Sequence, residues 1–376
     1  MATRETHPDS ALVQKARAVA ARFDALKAAL ASAQAEAALA RTRLGQALAE
    51  AMAARAEAVV QARASALSAY RQARAHQIRP RRRNRPVRLA EKIAGRLGAP
   101  GRALLVAVSG LKDTALFDEA WYRAAHPDLD GWRADGLAHY LLAGGDQRRP
   151  PHPLFDAGYY MQVHGAQVAA TGLTPLEHFA RVGVHRGFDP HPLFSIAHYV
   201  AQHPALIDGG ENPVEHYLTE GWKLGLSPHP LFAPAFYARQ LKRDERQGPP
   251  LLHYLAEGSG RGLKPHPLFD PDWYRAEYRD VAQAGREPLT HFLAEGWREG
   301  REPSPWFEGG HYRGQRGEAI SPDANPLLDY LEGGAWRVAE PRPGFPSMAY
   351  LAANPALAAQ GLTPLEHWAS LGAGRG

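Results

Sequence analysis

Residues 268–305 read LFDPDWYRAEYRDVAQAGREPLTHFLAEGWREGREPSP, and close copies of this stretch recur through the C-terminal two-thirds of the chain. Asp270 is a favoured N-cap residue, and Pro271 after it suits the first position of a helix. Phe269 stands where a hydrophobic staple would reach Tyr274 inside that helix. The stretch therefore predicts a first helix with a sharply defined start.

A second helix of the same stretch begins at Pro288 and is predicted to end at Gly296, with this glycine in the left-handed conformation. Each of the two helices has about ten residues, fewer than the roughly 12–15 that give an isolated helix even marginal stability. Such a hairpin has to be held by its neighbours, which is the logic of a solenoid of stacked units.

Seven copies of the hairpin follow one another at intervals of 37, 38 or 39 residues. The tyrosines of the first helices are Tyr122, Tyr160, Tyr199, Tyr237, Tyr274, Tyr312 and Tyr350. The glycines predicted to end the second helices are Gly144, Gly183, Gly221, Gly258, Gly296, Gly334 and Gly372. We predict an all-α fold in which residues 116–376 form an α-solenoid of seven units: 116–153, 154–192, 193–230, 231–267, 268–305, 306–344 and 345–376.

The connections between units carry their own signals. Thr-Pro-Leu-Glu at 174–177 and at 363–366 is a capping box that starts a second helix. The sequence PHPLF occurs at 151–155, 190–194, 228–232 and 265–269. Because residues before proline avoid the helical region, we expect these linkers to hold the chain extended and to fix the angle between units.

Residues 1–78 are predicted to form one long, Ala-rich coiled-coil helix, since residues 11–78 contain no proline and a single glycine. Leu12, Val19, Phe23, Leu26 and Leu30 follow a 7-4-3-4 spacing typical of a coiled-coil seam. The expected partner of residues 11–78 is another protein or a second copy of the chain. The alternative is a solvated, partly frayed helix.

Residues 79–115 are predicted to be a basic hinge with short lead-in helices. Between residues 79 and 102 there are nine Lys or Arg and one acidic residue, whereas the whole chain has a net charge of +5. The candidate contacts for an anion or an acidic membrane surface are Arg79, Arg81, Arg82, Arg83, Arg85 and Arg88. A solvated hinge is the alternative, and nucleic acid is disfavoured because no aromatic residues are interleaved with the arginines.

One histidine recurs at the same place in the second helices: His139, His178, His216, His253, His291 and His367. Neighbouring helices pack about 8–10 Å apart, whereas the ligands of a metal ion lie about 2 Å from it. These histidines therefore cannot share one metal ion. We expect a structural role for them, as hydrogen-bond partners of the linker or of the next hairpin, and we expect linker geometry to explain the histidines of PHPLF.

Aromatic pairs such as Trp121-Tyr122 and Trp273-Tyr274 suggest either sugar stacking or core packing, and helical periodicity favours the core for one ring of each pair. The sequence contains no phosphate loop, nucleophile elbow or HExxH motif, and Asp128-Leu129-Asp130 fits the turn of the first unit better than a metal site. We therefore predict no cofactor and no catalytic residue, and the sequence favours a non-enzymatic role.

The pattern LFD-x-x-WY, then P-D, then P-L-x-HY-L-x-x-G-x-x-x-G-R-x-P-H-P covers residues 116–376. It resembles the tandem repeats that accompany bacterial cell-surface polysaccharide glycosyltransferases, including rhamnan-synthesis-like proteins. There the repeats commonly precede a catalytic domain, and in this sequence no nucleotide-sugar-binding domain follows them. The resemblance therefore implies a setting in polysaccharide synthesis, with a glycosyltransferase as an expected partner, rather than an activity.

Three functional hypotheses follow from these observations: a non-catalytic scaffold for polysaccharide synthesis or export, an accessory part of a glycosyltransferase whose catalytic domain lies elsewhere, and a carbohydrate-binding module. The sequence has no stretch of eighteen apolar residues and no apolar signal core at its N-terminus. We accordingly expect a cytoplasmic protein, with the alternative of peripheral attachment to the inner membrane.

Overall fold

The computed structural model of the chain describes residues 8–78, 106, 109–111, 113–129, 135–337 and 340–372. These residues form an all-α structure in which β-pairing is limited to isolated bridges in the linkers. A long N-terminal helix is followed by many short helices that build a solenoid. The predicted fold class is thereby confirmed.

The long helix spans Pro8–Arg74, a length of 67 residues, and continues into a 3-10 turn over Ala75–Gln77. Alanine and straight-chain polar residues dominate it, and these residues have the highest helix propensities. At a rise of about 1.5 Å per residue the helix is roughly 100 Å long.

Each unit of the solenoid contains a first and a second helix, with short helical turns in the connections. The first helices of units 1 to 7 span Glu119–Ala125, Ala157–Thr171, Ile196–Gln202, Pro234–Arg239, Pro271–Glu277, Gly309–Arg316 and Ser347–Ala353. The second helices span Gly136–His139, Pro175–His178, Pro213–His216, Pro250–His253, Pro288–His291, Pro326–Leu331 and Pro364–Ser370. In units 1 to 5 a π-helical turn extends the second helix over Tyr140–Gly144, Phe179–Gly183, Tyr217–Gly221, Tyr254–Gly258 and Phe292–Gly296. The short connecting helices are Pro127–Leu129, Val184–Arg186, Ala205–Asp208, Asp244–Arg246, Arg279–Gln283, Gly317–Ala319, Gly334–Trp336 and Leu357–Gln360.

The predicted starts of the helices are present. In unit 5 the Asp270 side chain accepts a hydrogen bond from the Trp273 amide at 3.1 Å, with Pro271 at the start of the helix. The rings of Phe269 and Tyr274 lie 5.5 Å apart, as a hydrophobic staple requires. The capping boxes that begin at residues 174 and 363 are formed as well.

The prediction that glycine ends the second helices in the left-handed conformation is wrong for six of the seven units, because only Gly372 has a positive φ, of 72°. The other six glycines serve a close approach instead. A Cβ on Gly144, for example, would collide with the hydroxyl oxygen of Tyr122, which lies on the first helix of the same unit. Left-handed residues occur four positions later, as in Gly187 and Gly225.

The prediction of extended linkers is also wrong, because PHPLF forms a tight turn. In the first linker the Phe155 amide donates to the His152 carbonyl at 2.9 Å, and the Leu154 amide donates to Nδ1 of the same histidine at 3.0 Å. His191, His229 and His266 repeat this arrangement. The imidazole thus satisfies an amide that the turn would otherwise leave unpaired.

Consecutive units are joined by the aromatic residue of the second helix. The Tyr140 hydroxyl accepts a hydrogen bond from the Leu176 amide of the next unit at 3.1 Å. Phe179 lacks a hydroxyl, and in the unit that follows it the Asn212 cap accepts the corresponding amide, that of Val214, at 3.0 Å. Either a tyrosine hydroxyl of the preceding unit or the side chain of an asparagine cap therefore accepts the amide that would be unpaired at the helix start.

The solenoid coils tightly enough for units that are not neighbours along the chain to touch. The Thr114 hydroxyl before unit 1 donates to the Glu215 carboxylate of unit 3 at 2.6 Å. One hundred residues separate His266 and Glu366, yet His266 Nε2 lies 3.1 Å from the Glu366 carboxylate of unit 7. These contacts join successive turns of the array.

Candidate interaction surface

The long helix has two halves with different surroundings. From residue 45 to residue 74 it lies against units 2, 3, 6 and 7 of the solenoid. The buried or partly buried residues on this side of the helix include Gly45, Ala49, Met52, Ala56, Arg63, Leu67, Tyr70 and Arg74. The spacing of these residues is again a heptad spacing, so the solenoid occupies the place of a partner helix.

The C-terminal end of the docked half is held by polar contacts. The guanidinium of Arg74, only 1 % exposed, donates to the carbonyls of Leu206 at 2.9 Å, Gly210 at 3.2 Å and Glu211 at 2.6 Å. Burial lowers the pKa of the Arg74 guanidinium from its ordinary value, yet arginine stays charged at neutral pH. The Tyr70 hydroxyl donates to the Val184 carbonyl at 2.8 Å.

Further along, two ion pairs join the docked half to unit 6, Arg63 with Glu332 and Glu57 with Arg337. Nearer the start of this half, Gly45 lies against unit 7. A Cβ on it would lie 2.8 Å from the Met348 carbonyl oxygen, so the two backbones approach as closely as glycine permits.

From residue 13 to residue 44 every residue of the long helix is exposed, and this segment is called the arm below. Val19, Phe23, Leu26 and Leu30 are 66 %, 57 %, 68 % and 59 % exposed, although they form the apolar seam recognised in the sequence. The arm is about 48 Å long at 1.5 Å per residue. An exposed heptad seam of large apolar residues makes the arm a candidate interaction surface.

The seam of the arm is not a continuation of the docked side. Extending its spacing past Leu44 gives residues 47 and 51, whereas the docked side passes through residues 45, 49 and 52. The nearest positions of the two sets differ by one or two residues, and each residue of offset turns the direction by about 100° around an α-helix. The arm therefore presents its apolar side in a direction different from that of the solenoid.

A groove lies at the root of the arm, where it meets unit 7. Its volume is about 680 Å³, and three alanines contribute to its lining. The lining residues are Arg41, Thr42, Glu340, Pro346, Met348, Ala349, Ala352 and Ala353. Small residues allow a second backbone to approach closely.

The recurring histidines have a structural role, as expected, but their partner is a different one. Each accepts or donates a hydrogen bond through Nδ1 to the first-helix tyrosine of its own unit, rather than to the linker or the next hairpin. The distances are 3.0 Å for Tyr122–His139, 2.8 Å for Tyr160–His178, 2.7 Å for Tyr199–His216, 2.7 Å for Tyr237–His253, 2.9 Å for Tyr274–His291 and 2.8 Å for Tyr350–His367. In unit 6 Asp329 takes the place of histidine, bonds the Tyr312 hydroxyl and pairs with Arg316 at 2.9 Å.

Burial keeps several of these imidazoles neutral. It lowers the pKa of His178 to about 4, and it also lowers the pKa of His139, His216 and His291. The linker histidine His152 has its pKa lowered to about 4 for the same reason. Neutral, hydrogen-bonded and buried, these side chains stabilise the hairpins.

Among the described residues, His291, Glu295 and Glu299 bring three potential ligand atoms within 4.8 Å of one another. Glu295 is paired with Arg286 at 2.7 Å, and Glu299 with Arg301 at 2.5 Å. Because both carboxylates already have cationic partners, this cluster is explained without a metal ion.

The aromatic pairs behave as predicted where one ring enters the core. Tyr122, Tyr160 and Tyr274 are fully buried, while their neighbours Trp121 and Trp273 are partly exposed. Asp128 pairs with Arg149 through two hydrogen bonds of 2.8 and 2.7 Å.

The candidate anion contacts Arg79, Arg81, Arg82, Arg83, Arg85 and Arg88 lie outside the described residues.

Comparison with known proteins gives no relative: no family model, no curated protein and no solved structure matches the chain. Within the described residues, no helix combines the length and the apolar character needed to cross a membrane. The candidate function therefore depends on the surfaces of the chain itself.

Sequence reasoning missed the docking of residues 45–74. Two signals for it were present in the sequence. Gly45 is the single glycine of the long Ala-rich helix, which marks a close approach, and Tyr70 with Arg74 places a large aromatic and a cation one helical turn apart near the end of the helix.

Proposed function

We propose that the chain is a non-catalytic scaffold in which the solenoid holds the arm away from its surface for association with another helix. The observation that carries this proposal is the contrast within one helix between a docked half and an arm whose apolar seam is exposed. A rigid helix fixed at one end by Arg74 and the unit 6 ion pairs is suited to hold a partner at a defined distance.

We further propose that this scaffold serves bacterial cell-surface polysaccharide synthesis or export, on the basis of the repeat pattern at residues 116–376. Deleting the gene in the native organism should reduce surface polysaccharide, and the wild-type gene should restore it. A variant with Val19→Glu and Leu30→Glu, which changes only exposed positions, should fail to restore it. Unchanged polysaccharide after deletion would contradict the setting.

The second form of the proposal is an accessory part of a glycosyltransferase whose catalytic domain belongs to another chain. Purification of the tagged protein from the native organism discriminates the two forms. A glycosyltransferase recovered in stoichiometric amount supports the accessory role. A self-contained oligomer in light scattering supports the scaffold.

A carbohydrate-binding role is a second candidate, favoured by one cavity of about 170 Å³ between units 5 and 6. Trp297, Phe307, Arg301, Arg313 and Glu302 contribute to its lining, a combination of aromatic and charged groups that suits a sugar. Titration with the cell-surface polysaccharide should change tryptophan fluorescence in the wild type and leave the Trp297→Phe variant unchanged. An identical response in both proteins would exclude this cavity as the site.

We also propose that residues 79–88 attach the protein to the anionic inner face of the membrane. Sedimentation with vesicles containing phosphatidylglycerol should retain the protein at low salt and release it as salt rises. Equal sedimentation with neutral phosphatidylcholine vesicles would contradict an electrostatic contact.

A further inference from the structure

We infer that the arm binds the arm of a second copy of the chain as an antiparallel two-stranded coiled coil. This inference rests on the proposed scaffold role and names the partner of the arm. Its evidence is the register of the exposed seam together with the charges that flank it.

The seam assigns heptad positions to the arm. Phe23 and Leu30 occupy position a, and Val19 and Leu26 occupy position d. In an antiparallel pair, position a of one helix meets position d of the other. If Phe23 meets the partner's Leu26, then Leu30 meets the partner's Val19, and the four large apolar residues interlock around a two-fold axis between residues 24 and 25.

The flanking charges favour this register. It brings Lys15 of one arm beside Glu36 of the partner, and the pair occurs twice by symmetry. The other flanking cations, Arg22 and Lys27, lie opposite alanines of the partner. No like charges then face each other among positions 13–36.

The alternatives bring like charges together. Shifting the antiparallel register by one heptad in one direction places Arg22 opposite the partner's Arg22. The shift in the other direction pairs Arg22 with the partner's Glu36, but it places Lys27 opposite the partner's Lys27 and Lys15 opposite the partner's Arg43. A parallel pair places Arg22 beside the partner's Lys27, and it offsets this repulsion only by placing Glu36 beside the partner's Arg41. Like charges held side by side are unfavourable in each of these arrangements.

The shape of the chain fits the antiparallel pair as well. Docking to the solenoid begins at residue 45, roughly 30 Å along the helix from the two-fold axis at 1.5 Å per residue, so the two solenoids lie at opposite ends. The helix of the partner begins at Pro8, level with Arg41 and Thr42. The partner's helix therefore ends before residue 45, where the docked half of the long helix begins.

The chain contains no cysteine, so engineered cysteines report arm pairing without background. The full-length variants Val19→Cys and Leu30→Cys, mixed in equal amounts and oxidised, should form a disulfide between the two variants. Each variant alone should remain largely uncrosslinked. Light scattering of the wild type should give twice the 41.1 kDa mass of one chain.

Charge variants test the register. Lys15→Glu should weaken dimerisation about tenfold, because two attractive pairs become repulsive, and Lys15→Glu combined with Glu36→Lys should restore it. Arg22→Glu should leave dimerisation unchanged, since it lies opposite alanine. Strengthening by Arg22→Glu, or crosslinking of each cysteine variant alone, would overturn the antiparallel pairing in favour of the parallel one.

A monomer at every concentration would overturn the pairing altogether. That result can be told apart from failure of the proposed function. If the Val19→Glu and Leu30→Glu variant still fails to restore surface polysaccharide, the arm binds a different protein. If the variant restores it, the scaffold role of the arm is wrong.

Discussion

The arm and the docked half belong to one helix and share an Ala-rich composition, yet the docked half buries one of its sides while the arm is exposed all round. Residues 45–74 present Gly45, Ala49 and Ala56 to the solenoid, and small side chains let the helix backbone approach the short helices of units 6 and 7. The arm has Phe23, Leu26 and Leu30 at the corresponding places of its seam. On the docked side small residues stand at the closest backbone approaches, beside large residues such as Met52 and Tyr70, whereas the large residues of the arm suit the grooves of another helix.

The polar contacts of the two halves also differ, because those of the docked half reach the solenoid and those of the arm stay within the helix. Arg74 is buried among three backbone carbonyls, which fix one position of the helix relative to unit 3. In the arm, Lys27 covers only the ring of its own Phe23, with its amino group 4.6 Å from the ring centre. Directional hydrogen bonds thus fix the position of the docked half, whereas the apolar seam of the arm stays exposed.

The largest expected effect comes from Arg74→Met. It removes the donor of three hydrogen bonds and leaves buried carbonyls unpaired, which should cost about 3 kcal/mol of the free energy of unfolding. Urea denaturation gives the loss, and hydrogen exchange should show weaker protection of residues 63–74. The matched change Arg22→Met, in the arm, should stay within about 0.5 kcal/mol. Equal effects of the two changes would mean that Arg74 does not anchor the helix.

Lowering the pH should destabilise the solenoid, whereas the arm contains no histidine that could respond to it. Residues 8–74 contain no histidine, whereas burial lowers the pKa of His152 and His178 in the solenoid to about 4. Unfolded histidine takes up its proton near pH 6.5, so the unfolded chain binds more protons between about pH 6.5 and 4. Stability of the solenoid should therefore fall as the pH falls through this window.

Asp189 acts in the opposite direction, because burial raises its pKa to about 7, and stability then falls as the pH rises from 3.8 to 7. Burial also raises the pKa of Glu302, so two carboxyl groups oppose several imidazoles, and the net effect on stability keeps the sign set by histidine. The stability of the solenoid is measured as the midpoint of urea unfolding at pH 7, 6, 5 and 4. Near-ultraviolet circular dichroism reports on the solenoid because every tryptophan lies beyond residue 120. A midpoint that does not move would contradict neutral histidines in the core.

Gly45→Ala tests the close approach at the border between the two halves. Alanine is favoured over glycine in a helix by about 1 kcal/mol, so a free helix would gain stability. Here the new Cβ would lie 2.8 Å from the Met348 carbonyl oxygen and 3.3 Å from the Cβ of Ala352. We expect a net loss of about 1 kcal/mol in the urea unfolding of the solenoid, since overpacking exceeds the gain in propensity. Ala38→Gly, in the arm, should leave that transition unchanged.

The sequence predicted most of the hairpin architecture because its signals are local. N-caps, Pro at helix starts and staples act within a few residues, and the contacts at Asp270 and Thr174 are those expected. The role of Gly144 was misjudged because its cause lies in a tyrosine of another helix. Likewise the His139 partner depends on how two helices cross, which spacing along one helix does not specify.

The docking of residues 45–74 could not be predicted from local sequence signals for a similar reason. Its contacts join residues more than a hundred positions apart, such as Arg74 with Leu206, and the heptad spacing of the helix is equally suited to a helical partner or to the solenoid. The arm was easier to identify, since four large apolar residues at heptad spacing in an Ala-rich segment stand out.

The smallest expected effect concerns a left-handed residue of the solenoid. Units 2 to 5 have glycine with positive φ after the second helix, at Gly187, Gly225, Gly262 and Gly300, whereas unit 1 has Arg148 there with a φ of 55°. A side chain in this conformation costs roughly 1 kcal/mol, so Arg148→Gly should raise the free energy of unfolding by about 0.5–1 kcal/mol. The reverse change, Gly225→Ala, should lower it by a similar amount, because an added Cβ there meets open space and only the backbone is strained. Urea denaturation of both variants measures the pair. Opposite signs confirm that the cost is conformational, while a loss in both would show that the Arg148 side chain makes a stabilising contact which exceeds the strain.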